Sequence, residues 1–204
     1  MYSDEDGELS VRIAREAVES HTTGRAMRSF PVPARFEEKA GVFVTLNLCP
    51  GEELRGCIGY PHALYPLFKA LVRSAEGACE DPRFPPLREE ELGAITVEVN
   101  LLTPPELIEV KRPKEYLRAI TLGRDGLEIR YATARGVFLP EVPVEQGWNI
   151  ETYLEELCMK AGLTPDTWLD ADARIYKFQS TVFREVDPRG AVVRRDLEAE
   201  HARR

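Results

Sequence analysis

The sequence predicts an α+β fold built on a mainly antiparallel sheet with packed helices. Three observations carry that prediction. Stretches with strict apolar/polar alternation come in hairpin-like groups; stretches with helical periodicity are inserted between the groups; and the two kinds do not alternate one by one as parallel βαβ units would. The composition suits such a fold: 204 residues, 43% hydrophobic and 30% charged, enough to bury a sizeable core.

The elements follow in order. Leu9, Ile13 and Ala17 recur every fourth position, which predicts a helix over residues 8–22 with Gly24 as its stop. Pro31 and Pro33 mark residues 24–40 as a loop. Val42, Val44, Leu46 and Leu48 alternate with Phe43, Thr45 and Asn47 in the clearest strand signal. After the Pro50-Gly51 turn, Leu54–Ile58 returns as the second strand of a hairpin, ended by Gly59-Tyr60-Pro61. Leu64, Leu67, Phe68, Leu71, Val72, Ala75, Ala78 and Cys79 form one wide apolar helical stripe. Three prolines make Asp81–Pro86 a loop. Ile95, Val97, Val99 and Leu101 alternate as a strand stopped by Pro104-Pro105. Residues 119–139 suggest a meander. A second amphipathic helix runs from Ile150 to Ala161, with Asn149 as N-cap, Gly162 beyond its end, and Trp148 and Trp168 as anchors. Thr164-Pro165 opens a short further helix. Ile175–Val186 is a long last strand, and Asp187–Gly190 turns into a charged tail.

Charge and cysteine use narrow the functional classes. Lys and Arg total 27 against 35 acidic residues, a net charge of −8. Such a surface repels phosphate backbones, and the arginines at 184, 189, 194, 195, 203 and 204 are interleaved with acids rather than gathered into a basic face, so nucleic acid is a disfavoured partner. Cys49, Cys57, Cys79 and Cys158 include no C-x-x-C pair, which argues against a zinc ribbon or a redox dithiol and for free thiols in a reducing cytoplasm. The acidic N-terminus has no apolar signal core, and no apolar run is long enough to span a membrane. Phosphate-loop, dinucleotide, zincin and nucleophile-elbow motifs are all absent, so no metal site and no cofactor is expected.

One stretch invites chemistry. In Leu54-Arg55-Gly56-Cys57-Ile58-Gly59, regular alternation puts Leu54, Gly56 and Ile58 on one face and Arg55, Cys57 and Gly59 on the other. Glycines inside a strand signal a bend or a close approach. A cysteine beside an arginine, with little side-chain cover, is a setting for a nucleophilic or ligand-contacting thiolate; a packed core cysteine is the alternative. His62 supplies a candidate Cys/His dyad five residues on. Asp81 and Arg83 either reach a ligand or clamp their own loop. Glu98 and Asn100 share one strand face and line either a cleft or an exposed sheet surface. His21 and His201 read as surface residues.

The same hexapeptide resembles the signature of the AMMECR-type domain family. The resemblance continues in order through Ala75–Pro86, Ile95–Asn100 with Thr103-Pro104-Pro105, Gly123–Leu127, Gly136 with Leu139-Pro140, Trp148, and Cys158-Met159-Lys160-Ala161-Gly162-Leu163, covering about residues 9 to 186. It departs mildly at Glu141. The resemblance implies a single domain over residues 1–186 with two lobes, a signature facing a cleft, and a tail at 187–204. It carries Leu54–Gly59 and Asp81–Phe84 over as family positions; among these the residue reading makes Arg55, Gly56, Gly59, Asp81 and Arg83 the candidate binding positions and Cys57 the candidate catalytic one. It implies no established activity, substrate or cofactor. Family members are encoded beside or fused to a Memo-like protein and a radical-SAM protein, so these are the expected partners. An adaptor role and an older link to transcription, repair or translation control are the alternatives.

Overall fold

The computed structural model describes residues 2–196, so His201, Arg203 and Arg204 lie outside the described residues. The chain divides into two compact units. One is Met1–Leu102 with Thr181–Arg195; the other is centred on Thr103–Ser180. The fold is α+β, and its strand pairings are antiparallel.

The first unit begins with α1 (Asp4–Thr23), four residues earlier than periodicity predicts. The cause is local: Ser3 and Asp6 cap each other's backbone amides, and Asp4, Glu5 and Asp6 place negative charge in the first turn, where the helix dipole favours it. β1 (Gly41–Leu48) and β2 (Leu54–Tyr60) form the predicted hairpin. α2 (Leu67–Cys79) starts after Pro66, so Leu64 stays out of the helix and is exposed. β3 (Ile95–Leu102) pairs with the other side of β1. Val42, Val44 and Leu46 of β1 and Ile95, Val97 and Val99 of β3 are fully buried against Ile13, Ala14, Val18, Leu67, Leu71 and Ala75 of the two helices. The period-2 pattern of the strands and the 3.6-period stripes of the helices thus meet in one core.

The second unit contains the short β4 (Glu106–Leu107), α3 (Tyr116–Ala119), β5 (Asp125–Tyr131), β6 (Ala134–Phe138), α4 (Glu141–Gln146) and α5 (Ile150–Lys160). β7 (Arg174–Glu185) follows; its Arg174–Gln179 part pairs with β5, and its Tyr176–Lys177 part with β4. Tyr153, Leu154, Leu157 and Cys158 of α5 pack on Leu127, Ile129 and Ile175. Trp168 is buried in this cluster, and the Trp148 ring meets Phe138 edge-on at 5.5 Å, as expected of anchors. Asn149 accepts the Thr152 amide hydrogen as N-cap.

Within the first unit the strand order is β2-β1-β3-β7, using the C-terminal part of β7, and β8 (Val192–Arg194) pairs with residues 183–185 of β7. Part of the segment read as a tail is therefore strand: Arg195 donates to Glu98 at 3.0 Å, and both side chains are largely covered. No helix of the described residues is long and apolar enough to cross a membrane.

Candidate functional site

β2 closes one end of the strand order, and its register explains the signature. Asn47 opposes Leu54 while Leu46 opposes Gly56, so Arg55 is an extra residue on β2. Such a bulge re-aims a side chain. Arg55 turns into the loop that follows α2, where it is 8% exposed. Its Nε donates to Glu91 Oε1 at 2.7 Å and its Nη2 to Glu91 Oε2 at 3.1 Å and to the Pro85 carbonyl at 3.0 Å. Glu91 also accepts the Arg88 amide hydrogen. The Arg55 guanidinium holds the Glu91 carboxyl below its usual range.

Beyond the bulge, Gly56 and Ile58 face α2. A Cβ on Gly56 would drive into the Ala78 carbonyl oxygen, and Ile58 occupies the space above Gly77. At Gly59 a Cβ would collide with the Phe43 ring and the Val42 carbonyl. The glycines are where the backbone of the last turn of α2 and the Phe43 ring rest directly on the strand.

Cys57 stands opposite Thr45, whose Oγ1 donates to Sγ at 3.2 Å. The Cys57 amide points away from β1 and donates to Asp81 Oδ2 at 2.9 Å. This makes Thr45 and Cys57 a pair without mutual backbone bonds, the kind whose side chains approach most closely. Asp81, 2% exposed, gathers three more donors from Arg83: its amide and Nε on Oδ1 at 3.0 Å each, and Nη2 on Oδ2 at 2.7 Å, with the same Nη2 3.5 Å from the Cys57 carbonyl. These bonds, Arg83 foremost, keep the Asp81 carboxyl well below the usual carboxylate range. The Phe84 ring lies 6.0 Å from the Arg55 guanidinium and 5.6 Å from that of Arg83.

The structure therefore gathers the six candidate positions at one place, with Arg55 and Asp81 bonded inward, Cys57 partly exposed and Arg83 exposed. Cys79 and Cys158 contrast sharply: they are 2% and 0% exposed, and burial pushes both thiols up to about 11. His62 lies two residues past β2, partly exposed. Glu98 opposes Thr45 on β3, and Asn100 opposes Phe43, so both share the Cys57 face; each is buried. Among the described residues no group of three or more His, Cys, Asp or Glu is placed to hold a metal ion. Sequence reasoning missed Thr45, because only the bulge brings it opposite Cys57, and Glu91, because nothing distinguishes it from Glu89 and Glu90 before the Arg55 side chain is placed.

Comparison with known proteins places these features in a wider set. A family profile described as AMMECR1 matches residues 11–183. The protein MJ0810 of Methanocaldococcus jannaschii is 50% identical over 194 residues, covering 95% of this chain and 96% of its own. The protein PF1979 of Pyrococcus furiosus is 50% identical over 200 residues, covering 95% of each chain. The crystal structure of uncharacterized protein PH0010 from Pyrococcus horikoshii superposes with a TM-score of 0.87 at 48% identity, over 95% of this chain and 98% of that one.

Proposed function

The chain belongs to the AMMECR1 family, and from that premise we propose that it is the ligand-contacting member of a Memo-like and radical-SAM-associated system, with Cys57 as the thiol that meets the ligand. The observation that carries the reading is the Cys57 setting itself. The sulfur is partly exposed and accepts a hydrogen bond from Thr45, while its backbone is fixed by Asp81. A hydroxyl donor favours the thiolate over the thiol, and a strand braced by Arg83–Asp81 and Arg55–Glu91 holds the sulfur in one position.

Binding or thiol chemistry fits better than acid–base catalysis. Asp81, Glu91 and Glu98 are each held by an arginine, which directs them at the protein rather than at a substrate. The choice of partners rests on the family resemblance of the signature and its ordered companion blocks.

The test is the alkylation rate of all four cysteines in the folded chain as a function of pH, read by peptide mass spectrometry. Cys57 should react at least about tenfold faster than Cys79 and Cys158, with a midpoint below the free-thiol value of ~8.5. Equal rates would make Cys57 a packing residue and end the thiol reading. Co-purification with a Memo-like protein, before and after Cys57 is blocked, then tests the partner: capture that is indifferent to blocking would leave an adaptor surface elsewhere.

A further inference from the structure

Two cavities carry charged walls, and they differ in how the charges are matched. In the first unit a cavity of about 530 Å³ beside α1 is lined by Arg12, Arg15, Arg28 and Arg189. All but the exposed Arg12 are paired: Arg15 with Glu185, Arg28 with Glu16, Arg189 with Glu19. Its charges hold the 24–31 loop and β7 to the helix.

The second cavity lies within the second unit, between residues 107–113 and 170–174, and has a volume of about 380 Å³. Lys111, Arg112 and Arg174 converge on it, and none has a carboxylate within ion-pair distance among the described residues. By contrast Arg15, Arg55, Arg83 and Arg130 are all paired. Even Arg130, the cross-strand neighbour of Arg174, is occupied by Glu128 at 2.6 and 3.0 Å. Two acids, Glu109 and Asp170, share the wall, but neither forms an ion pair with these cations among the described residues. Asp170 is engaged by the Tyr131 hydroxyl at 3.0 Å and the Asp172 amide at 2.9 Å, and Glu109 forms no ion pair.

At the base of the cavity lies Tyr116, 5% exposed. Its phenol lies near Arg174 and the Ile175 backbone, and its hydroxyl can donate to an acceptor in the cavity. Val110 and Ala173 give an apolar wall. The three cations of the wall outnumber its two acids, and an oxyanion placed among the cations gains a Coulomb attraction that the empty site lacks. Two guanidinium forks match the two oxygens of a carboxylate or phosphate, and the volume falls in the range of small-molecule sites, about 300–1,000 Å³.

We propose that this cavity binds a small oxyanion, a carboxylate or phosphate carried on a compact apolar body, through Lys111, Arg112, Arg174 and the Tyr116 hydroxyl. The site is separate from Cys57 and stands whether or not the thiol reading does.

The test titrates the full chain with inorganic phosphate and with benzoate at physiological salt, followed by amide NMR shifts. One probe or both should saturate in the millimolar range or below, with the largest shifts at residues 107–113 and 170–174. Arg174→Gln and Arg112→Gln should each weaken binding about fivefold, the worth of one charge-assisted hydrogen bond. Tyr116→Phe, which keeps the ring in the core, should weaken it about threefold. Arg12→Gln, outside the cavity, should change nothing. Saturation by phosphate alone assigns a phosphate ligand; tighter binding of benzoate assigns a carboxylate on an apolar body. The absence of saturation by either probe up to roughly 20 mM overturns the proposal, as does an affinity indifferent to both cavity arginine variants.

Discussion

The strand around Cys57 and the cavity around Arg174 are built from the same residue types and handle charge in opposite ways. At the first, Arg55 and Arg83 are bonded to Glu91 and Asp81, and their guanidinium groups serve to position backbone. At the second, Lys111, Arg112 and Arg174 face open space without carboxylate partners among the described residues. Matched charges brace a strand; unmatched ones await an anion. An arginine near a reactive group is therefore not by itself an anion site, and the count of its existing partners separates the two roles.

The contrast can be broken most forcefully at Gly56. Gly56→Ala should cost about 3 kcal/mol or more in urea denaturation, because the new methyl meets the rigid Ala78 carbonyl at the end of α2. A loss under about 1 kcal/mol would mean the brace is loose. Next in size, Asp81→Ala should cost about 2–4 kcal/mol, since it strips the Cys57 amide and the Arg83 guanidinium of a shared buried acceptor. Arg174→Gln should by contrast fall within about 0.5 kcal/mol of wild type. Similar losses in both variants would erase the distinction drawn here.

Acid sharpens the same comparison. Asp81, Glu91 and Glu16 all titrate lower in the folded chain than when unfolded, Glu16 falling from 4.5 to about 2 under the hold of Arg25 and Arg28. The unfolded chain therefore binds more protons in this window, and stability should be full above pH 4.5 and fall steadily toward pH 2. Thermal melts of Glu16→Gln should show a shallower fall over that interval. A parallel slope would remove Glu16 from the account. The smallest effect concerns Ser74, a fully buried hydroxyl on α2 with no hydrogen-bond partner among the described residues. Ser74→Ala should stabilise the chain by about 0.5–1 kcal/mol, and a loss of stability would reveal a partner for it.

Much of this architecture was legible in the sequence because single-element periodicity wrote it. The alternation of Val42 to Leu48 and of Ile95 to Leu101, and the stripes of α2 and α5, reported their buried faces directly. Asn149 and Thr164-Pro165 marked helix starts by capping chemistry alone. What escaped depended on partners distant in the chain. The pairing of Thr45 with Cys57 requires the bulge at Arg55; β8 is too short to show a period; and the start of α1 hinged on Ser3 and Asp6 in a stretch whose acidity reads as solvent-facing. The Arg174 cavity was invisible because residues 107–113 and 170–174 meet only after β4 pairs with β7.

The carboxylate of Asp81 has a consequence for how copies of this chain behave in concentrated solution. β2 ends the strand order of its unit, and a terminal strand ordinarily offers bare amides on which another chain can zip up. At Cys57 that offer is withdrawn, since the outward amide already holds Asp81 and the carbonyl faces the Arg83 side chain. An incoming strand would have to displace a buried, arginine-bonded acid to bond at Cys57, so the clamp that fixes the thiol also removes that position from the edge a second copy could pair with.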